Sequence, residues 1–169
     1  MGNKERKAVF LDRDGVLDKD YGYLYEIEKL EWVDGAKEAI AYLTKKGYMI
    51  FVVTNQSGIA RGFYNHEDVH KLHDYMASEL EKAGGKIEKF YYCPHHPKGI
   101  VKEYAIVCDC RKPKPGMLLK AMKEYPINRE ESFLIGDKES DVKAAEAAGI
   151  KGYLFTSGNL LDFVQRIVE

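Results

Sequence analysis

The sequence predicts an α/β fold: a Rossmann-like, doubly wound parallel sheet flanked by helices. Three observations carry this. Short apolar runs with strand character alternate with amphipathic helical stretches along the whole chain. The run at Met49–Val53 is apolar on successive residues, as in a strand buried on both faces. Carboxylates and amides cluster immediately after the runs, where ligands of such sheets bind.

The elements follow in order. Ala8-Val9-Phe10-Leu11 is the first strand, entered from a charged tail. Ala36, Ala39, Ile40 and Leu43 share one helical face, and Gly47 stands where a helix-ending glycine belongs. Met49–Thr54 is the second strand. Asn65 caps a helix whose Val69, Leu72, Met76 and Leu80 recur at helical spacing, and Gly84-Gly85 ends it. Ile87–Tyr92 is the third strand. Residues 93–112 show no period and read as a loop. Pro115 suits the first turn of a helix running to Tyr125. Ser132–Ile135, Glu139–Ala148, Tyr153–Phe155 and Leu160–Val168 complete the series as strand, helix, strand and helix.

The 169 residues suit one domain, 1–169, with no linker or repeat dividing it. Connections are too short for a sizeable cap domain. With 26 basic and 27 acidic side chains, the net charge of −1 argues against nucleic acid as a partner. No apolar run is long enough to span a membrane, and the charged start, Met1–Lys7, carries no signal core. The expectation is a cytoplasmic protein without a membrane partner, monomeric by default. Neither a Walker A motif nor G-x-G-x-x-G occurs.

Chemistry concentrates at the strand ends. Asp12-Arg13-Asp14-Gly15 follows the first strand, and alternate residues of an extended segment can converge. Two close carboxylates need a cation or proton between them, and Mg²⁺ takes hard oxygen ligands. Thr54-Asn55-Gln56-Ser57 offers hydroxyl and amide donors after the second strand. Gly136-Asp137-Lys138 and Asp141 follow the fourth, and Arg111-Lys112 precedes the third helix. Carboxylates for a metal, donors for phosphate oxygens and cations for charge are the equipment of phosphoryl transfer. A lone Asp-x-Asp is more often a solvated turn; three such features at three strand ends are not.

Cys93-Pro94-His95 and Cys108-Asp109-Cys110 give three sulfurs and an imidazole, a closed tetrahedral shell suited to structural Zn²⁺, with His96 the competing fourth ligand. His66, His70 and His73 fall at helical spacing, and a solvated helix surface is the expectation for them. Tyr25 and the Tyr91-Tyr92 pair read as packing residues, and Asp141 as a brace for Lys138 or its loop.

Phe10–Val16, Thr54-Asn55-Gln56-Ser57-Gly58-Ile59-Ala60-Arg61-Gly62, Cys108-Asp109-Cys110-Arg111-Lys112-Pro113 and Gly136-Asp137-Lys138 resemble the motifs of the haloacid dehalogenase superfamily, and within it the heptose 1,7-bisphosphate phosphatases. The resemblance spans nearly the whole chain. It implies Asp12 as the nucleophile that forms an aspartyl-phosphate and Asp14 as general acid and then base. Lys112 would neutralise charge at the transferring group. Asp12, the Asp14 backbone carbonyl and Asp137 would hold Mg²⁺; Cys93, His95, Cys108 and Cys110 would hold Zn²⁺. Thr54 and Asn55 would bind phosphoryl oxygens, with Gln56, Ser57 and Lys138 beside them. Arg111 would grip a second phosphate or the sugar, and Asp20-Tyr21-Gly22-Tyr23 would line the substrate loop. The implied reaction removes the C7 phosphate of a phosphorylated heptose on the way to activated heptose for lipopolysaccharide or other surface glycans. Asp18 departs from the Asn common in the family, and the segment after the fifth strand is short. The nearest rival is histidinol-phosphate phosphatase. A receiver-type signalling domain would instead carry its phosphoacceptor after the third strand, where this chain has Cys93.

Overall fold

The computed structural model describes residues 4–168. Five strands, β1 (Ala8–Leu11), β2 (Met49–Asn55), β3 (Lys89–Cys93), β4 (Phe133–Gly136) and β5 (Lys151–Leu154), form one sheet in the order β3-β2-β1-β4-β5. Every neighbouring pair is parallel. The helices are α1 (Ala36–Lys45), α2 (His66–Lys82), α3 (Gly116–Glu124), α4 (Glu139–Ala147) and α5 (Leu160–Ile167). Short 3₁₀ turns at Ile27–Lys29 and Arg129–Glu131 add to them. No helix among the described residues is long and apolar enough to cross a membrane.

Strand parity divides the core. Val9, Leu11, Ile50 and Val52 pack under α1, α2 and α5. Ala8, Phe10, Met49, Phe51 and Val53 face α3 and α4, where Phe10 stacks on Phe51 at 5.2 Å. Both faces of the central strands are thus covered, which explains their continuous apolar runs. The chain winds outward from β1 to β3 and then crosses back to β4, so the order reverses between β1 and β4. Such a switch point leaves a crevice at the strands' carboxyl ends.

Element boundaries differ from the sequence expectation where a ladder partner decides them. The β2 ladder begins at Lys89 and runs to Cys93, and Ile87 packs on the core without pairing. Ser132 precedes β4, its hydroxyl accepting from the Ala8 amide at 2.8 Å. β5 starts at Lys151, which pairs with Phe133, and Gly152 lets α4 approach closely; a Cβ there would lie 3.0 Å from the Val142 Cα. Asn65 caps α2 as expected: its side chain accepts from the Asp68 amide at 2.9 Å, and Asp68 accepts from the Asn65 amide at 3.0 Å.

The expectation of a solvated histidine face on α2 holds for His70, which is exposed, and is corrected for the half-buried His66 and the buried His73. The helix lies over β3, so its stripe meets the aromatic side chains there. His73 is buried, stacked on Phe90 at 4.4 Å, with Nε2 3.2 Å from Arg13 Nη1. His66 Nδ1 and His70 Nε2 both meet the Tyr92 hydroxyl, at 2.5 and 3.0 Å. Burial and the neighbouring Arg13 hold the His73 imidazole well below its ordinary value of 6.5. A depressed imidazole contributes stability that is complete above the unfolded value and is lost as pH falls below it. His73 should therefore cost the fold about 1.4 kcal/mol per pH unit below roughly pH 6.5. Urea melts at pH 7 and pH 5 on the wild type and His73→Gln check this; equal pH slopes for the two would contradict it.

Candidate active site

The crevice at the β1–β4 switch point is a cleft of about 600 Å³. It is lined by Asp12, Asp14, Asn55, Lys112 and Asp141 on its floor, and by Asp20, Gly22, Tyr23, Ser57, Arg61, His96, Arg111 and Lys138 around it. Asp12 leaves β1 with its amide donating to the Ile135 carbonyl at 3.1 Å, which fixes it beside β4. Asp137 leaves β4 opposite. Carboxylate oxygens of Asp12, Asp137 and Asp141 lie within 4.8 Å of one another. Asp137 Oδ1 is buried without a hydrogen-bond partner among the described residues.

Lys112 enters this group from the loop before α3 and is almost fully buried. Its ammonium lies 3.0 Å from Asp12 Oδ1, donates to the Val53 carbonyl at 2.8 Å and pairs with Asp141. Burial disfavours its charge, but Asp12 and Asp141 more than offset that and hold Lys112 above the ordinary lysine range. Burial pushes the Asp12 carboxyl up to about 8, against the pull of Lys112 and with the help of Asp141, Asp14 and Asp137. Excess buried negative charge with an orphaned oxygen on Asp137 fits a hard divalent cation between Asp12 and Asp137. Asp141 is already engaged, by Lys112 and by the Lys138 amide at 3.1 Å.

Gly15 closes the turn after Asp14. It has φ +90, and a Cβ there would strike the Asp137 carboxylate. Only glycine lets β1's loop approach β4's acid so closely. Asp14 is gripped from both sides: Arg13 Nη2 donates to Oδ1 at 2.8 Å and Gln56 Nε2 to Oδ2 at 3.1 Å. Burial would raise Asp14, but the Arg13 guanidinium beside it, with the hydrogen bonds from Arg13 and Gln56, holds it below the usual carboxylate range. Gln56 cannot turn its amide round, because the Tyr64 hydroxyl donates to Oε1 at 2.5 Å. Asp18 is fully buried with one oxygen 3.4 Å from Arg13 Nε, and burial beside Asp14 pushes its carboxyl well above the usual range.

The expected site residues divide into those that face the cleft and those that support it. Asp12, Asp14, Asp20, Gly22, Tyr23, Asn55, Gln56, Ser57, Arg111, Lys112 and Lys138 line it. Asn55 also clasps the Lys112 backbone, accepting from its amide at 3.0 Å and donating to its carbonyl at 3.3 Å. Thr54 is buried behind the lining, its hydroxyl accepting from Gln56 Nε2 at 2.9 Å. Asp137 also lies outside the lining, within the carboxylate group. Tyr21 points elsewhere: it is exposed and donates to Glu31 at 2.9 Å. Tyr25 stacks on Tyr64, as a packing residue should. Arg61 and His96 line the cleft without having been singled out for it. Arg61 belongs to the long motif after β2, and His96 is the residue that competes with His95 as fourth metal ligand in the sequence.

Cys93, His95, Cys108 and Cys110 converge at the side of the cleft, their ligand atoms within 4.8 Å of one another. Sγ–Sγ separations of 3.5 Å from Cys108 to Cys93 and to Cys110, and Sγ–Nδ1 separations of 3.6 and 3.4 Å from Cys93 and Cys110 to His95, match the edges of a small tetrahedron. The Cys93–Cys110 edge is shorter, 2.6 Å. Contact with Cys93, and then with His95 and Cys108, lowers the Cys110 thiol to about 5 against the opposing effect of burial. His96 points away, toward Arg61, so His95 is the imidazole of this cluster.

The chain is similar to several known proteins. A family model described as HAD-hydrolase-like matches residues 109–162. A D-glycero-β-D-manno-heptose-1,7-bisphosphate 7-phosphatase of Rhodopseudomonas palustris is 44% identical over 163 residues, covering 96% of this chain and 91% of the relative. The protein of the same name from Escherichia coli K12 is 46% identical over 147 residues, 87% of this chain and 77% of the relative. A D,D-heptose 1,7-bisphosphate phosphatase from B. bronchiseptica, solved with magnesium and phosphate, superposes with a TM-score of 0.81 at 32% identity, over 95% of this chain and 86% of that one.

Proposed function

The chain belongs to the haloacid dehalogenase-like phosphatases, and from that premise we propose that it hydrolyses the C7 phosphate of D-glycero-D-manno-heptose 1,7-bisphosphate through a phosphoryl group carried on Asp12. The observation that carries this reading is the buried Asp12–Lys112–Asp137 group at the switch point, in a chain similar over most of its length to heptose-bisphosphate 7-phosphatases. The receiver-domain alternative would need its acceptor after β3; that strand ends instead in Cys93, within the sulfur cluster.

Asp12 attacks phosphorus, the bond from phosphorus to the C7 oxygen breaks, and the departing oxygen takes a proton from Asp14. Asp14 then takes a proton from the water that attacks the Asp12-bound phosphoryl group, releasing phosphate and regenerating both side chains. Arg13 and Gln56 fix Asp14 in reach of both events. They also hold it ionised in the free protein, the form that serves as base. An incoming phosphate dianion opposes that charge and draws a proton onto Asp14, as the acid step requires. Lys112 stays protonated and offsets the repulsion between a carboxylate and a phosphate dianion. Asn55 holds Lys112 in place by its backbone. Asp12, Asp137 and the Asp14 carbonyl would hold Mg²⁺, which supplies positive charge at the transferring oxygens. Phosphate release from the bisphosphate, assayed with Mg²⁺ and after exhaustive chelation, tests this: rapid release that chelation abolishes is expected, and undiminished release without divalent cation would overturn it.

Cys93, His95, Cys108 and Cys110 would hold Zn²⁺, a closed structural shell that pins residues 93–112. These residues deliver Arg111 and Lys112 to the cleft, so the cluster serves the site without touching the reacting atoms. Elemental analysis is expected to find about one zinc per chain, falling below about a tenth of that in Cys108→Ser/Cys110→Ser. A folded wild-type protein without zinc would contradict it.

A further inference from the structure

One side of the cleft holds donors that face each other without an acceptor. Arg61 Nη2 lies 3.3 Å from His96 Nε2. The Lys98 amide donates to His96 Nδ1 at 3.0 Å, so Nδ1 is the unprotonated nitrogen. In a neutral imidazole the hydrogen then sits on Nε2. Guanidinium and Nε2–H are both donors, so the close pair satisfies neither. Arg61 Nε is likewise buried without a hydrogen-bond partner among the described residues. Ion pairs among the described residues include neither Arg61 nor Arg111.

Two donors aimed at one space, in a cleft also lined by Arg111, call for a bound anion with several acceptor oxygens. Tyr23 lines the cleft beside Arg61, with Phe63 packed against it. The Arg61 guanidinium carbon lies 6.0 Å from the Tyr23 ring centre, and Phe63 meets Tyr23 edge-on at 4.7 Å. Tyr23 holds φ +51, left-handed backbone that a non-glycine residue rarely adopts.

We propose that Arg61 and His96, beside Arg111, bind the phosphate of the substrate that is not transferred, and that this pair sets the preference for a bisphosphorylated sugar over a monophosphorylated one. The assignment rests on the bisphosphatase reading above. A dianionic phosphate accepts from Arg61 Nη2 and Nε and from His96 Nε2 together, which removes the donor–donor conflict. It also anchors the sugar so that the other phosphate reaches Asp12.

The test compares wild type, Arg61→Met, Arg61→Lys and His96→Asn on heptose 1,7-bisphosphate and on heptose 7-phosphate. Zinc content and far-ultraviolet circular dichroism are checked for each. Asn at 96 can still accept from the Lys98 amide but lacks the Nε2 donor. Arg61→Met and His96→Asn are each expected to cut the bisphosphate to monophosphate ratio of kcat/KM about 10- to 100-fold, mostly through KM, with Arg61→Lys recovering part of it. Variants that lose both substrates equally, while wild type turns over the bisphosphate, would overturn the subsite alone. A wild type that turns over neither substrate would overturn the parent reading instead.

Discussion

Replacing Asp12 with Asn is expected to lower kcat by about 10⁵-fold or more while the protein stays folded. An amide cannot carry the phosphoryl group, and no other side chain occupies its place at the end of β1. The fold does not need this charge. Burial pushes the Asp12 carboxyl up to about 8, and Asp141, Asp14 and Asp137 add to that push, so the neutral isostere relieves repulsion as it gives up the Lys112 pair. Thermal melting should show a midpoint equal to wild type or higher, the pattern of a residue kept for chemistry at some expense in stability. Phosphate release from Asp12→Asn at more than about a hundredth of the wild-type rate would exclude Asp12 as the nucleophile.

Replacing Lys112 with Met is expected to damage both activity and stability. Its ammonium holds apart two buried carboxylates and satisfies the Val53 carbonyl. Removing one partner of a buried ionic group leaves the others uncompensated and costs about 3–5 kcal/mol. Loss of charge opposite the transferring phosphoryl group should lower kcat/KM by a further factor of about 10²–10⁴. The two effects separate in a double-mutant cycle. In an Asp12→Asn background one of the two carboxylates is already neutral, so urea melts should show a smaller stability cost for Lys112→Met there than in wild type. Equal costs in the two backgrounds would show that Lys112 and Asp12 are not coupled.

The catalytic outline was legible in the sequence because it is local. Asp12, Asp14 and Asp137 each stand within three residues of a strand end, and a parallel sheet gathers strand ends without further instruction. The cysteine cluster was legible because sulfur and imidazole spacing constrain it. What escaped depends on contacts between distant segments. Gln56 reads as one more donor for substrate, yet Tyr64 and Asp14 fix it as the brace of the acid–base carboxyl. Asn55 reads as a phosphate ligand, and it also holds the backbone of Lys112, 57 positions away. His73 lies on a polar-looking helix face that the sheet turns inward over Phe90. Tyr21 and Tyr23 alternate in sequence but do not share a face. Gly22 at φ +86 and Tyr23 at φ +51 break the extended backbone on which alternation depends. Arg61 and His96 reveal themselves only when their donors meet across the cleft.

The proposed function requires that the Asp12 site remove one particular phosphate from a heptose bisphosphate. Phosphorus-31 NMR of the product tests it most directly, with heptose 1,7-bisphosphate of either anomer and histidinol phosphate offered in parallel with Mg²⁺. The expected result is conversion of the bisphosphate to heptose 1-phosphate, with the C7 signal replaced by inorganic phosphate, and slow turnover of histidinol phosphate. Loss of the C1 phosphate, or faster hydrolysis of histidinol phosphate than of either bisphosphate anomer, would contradict it.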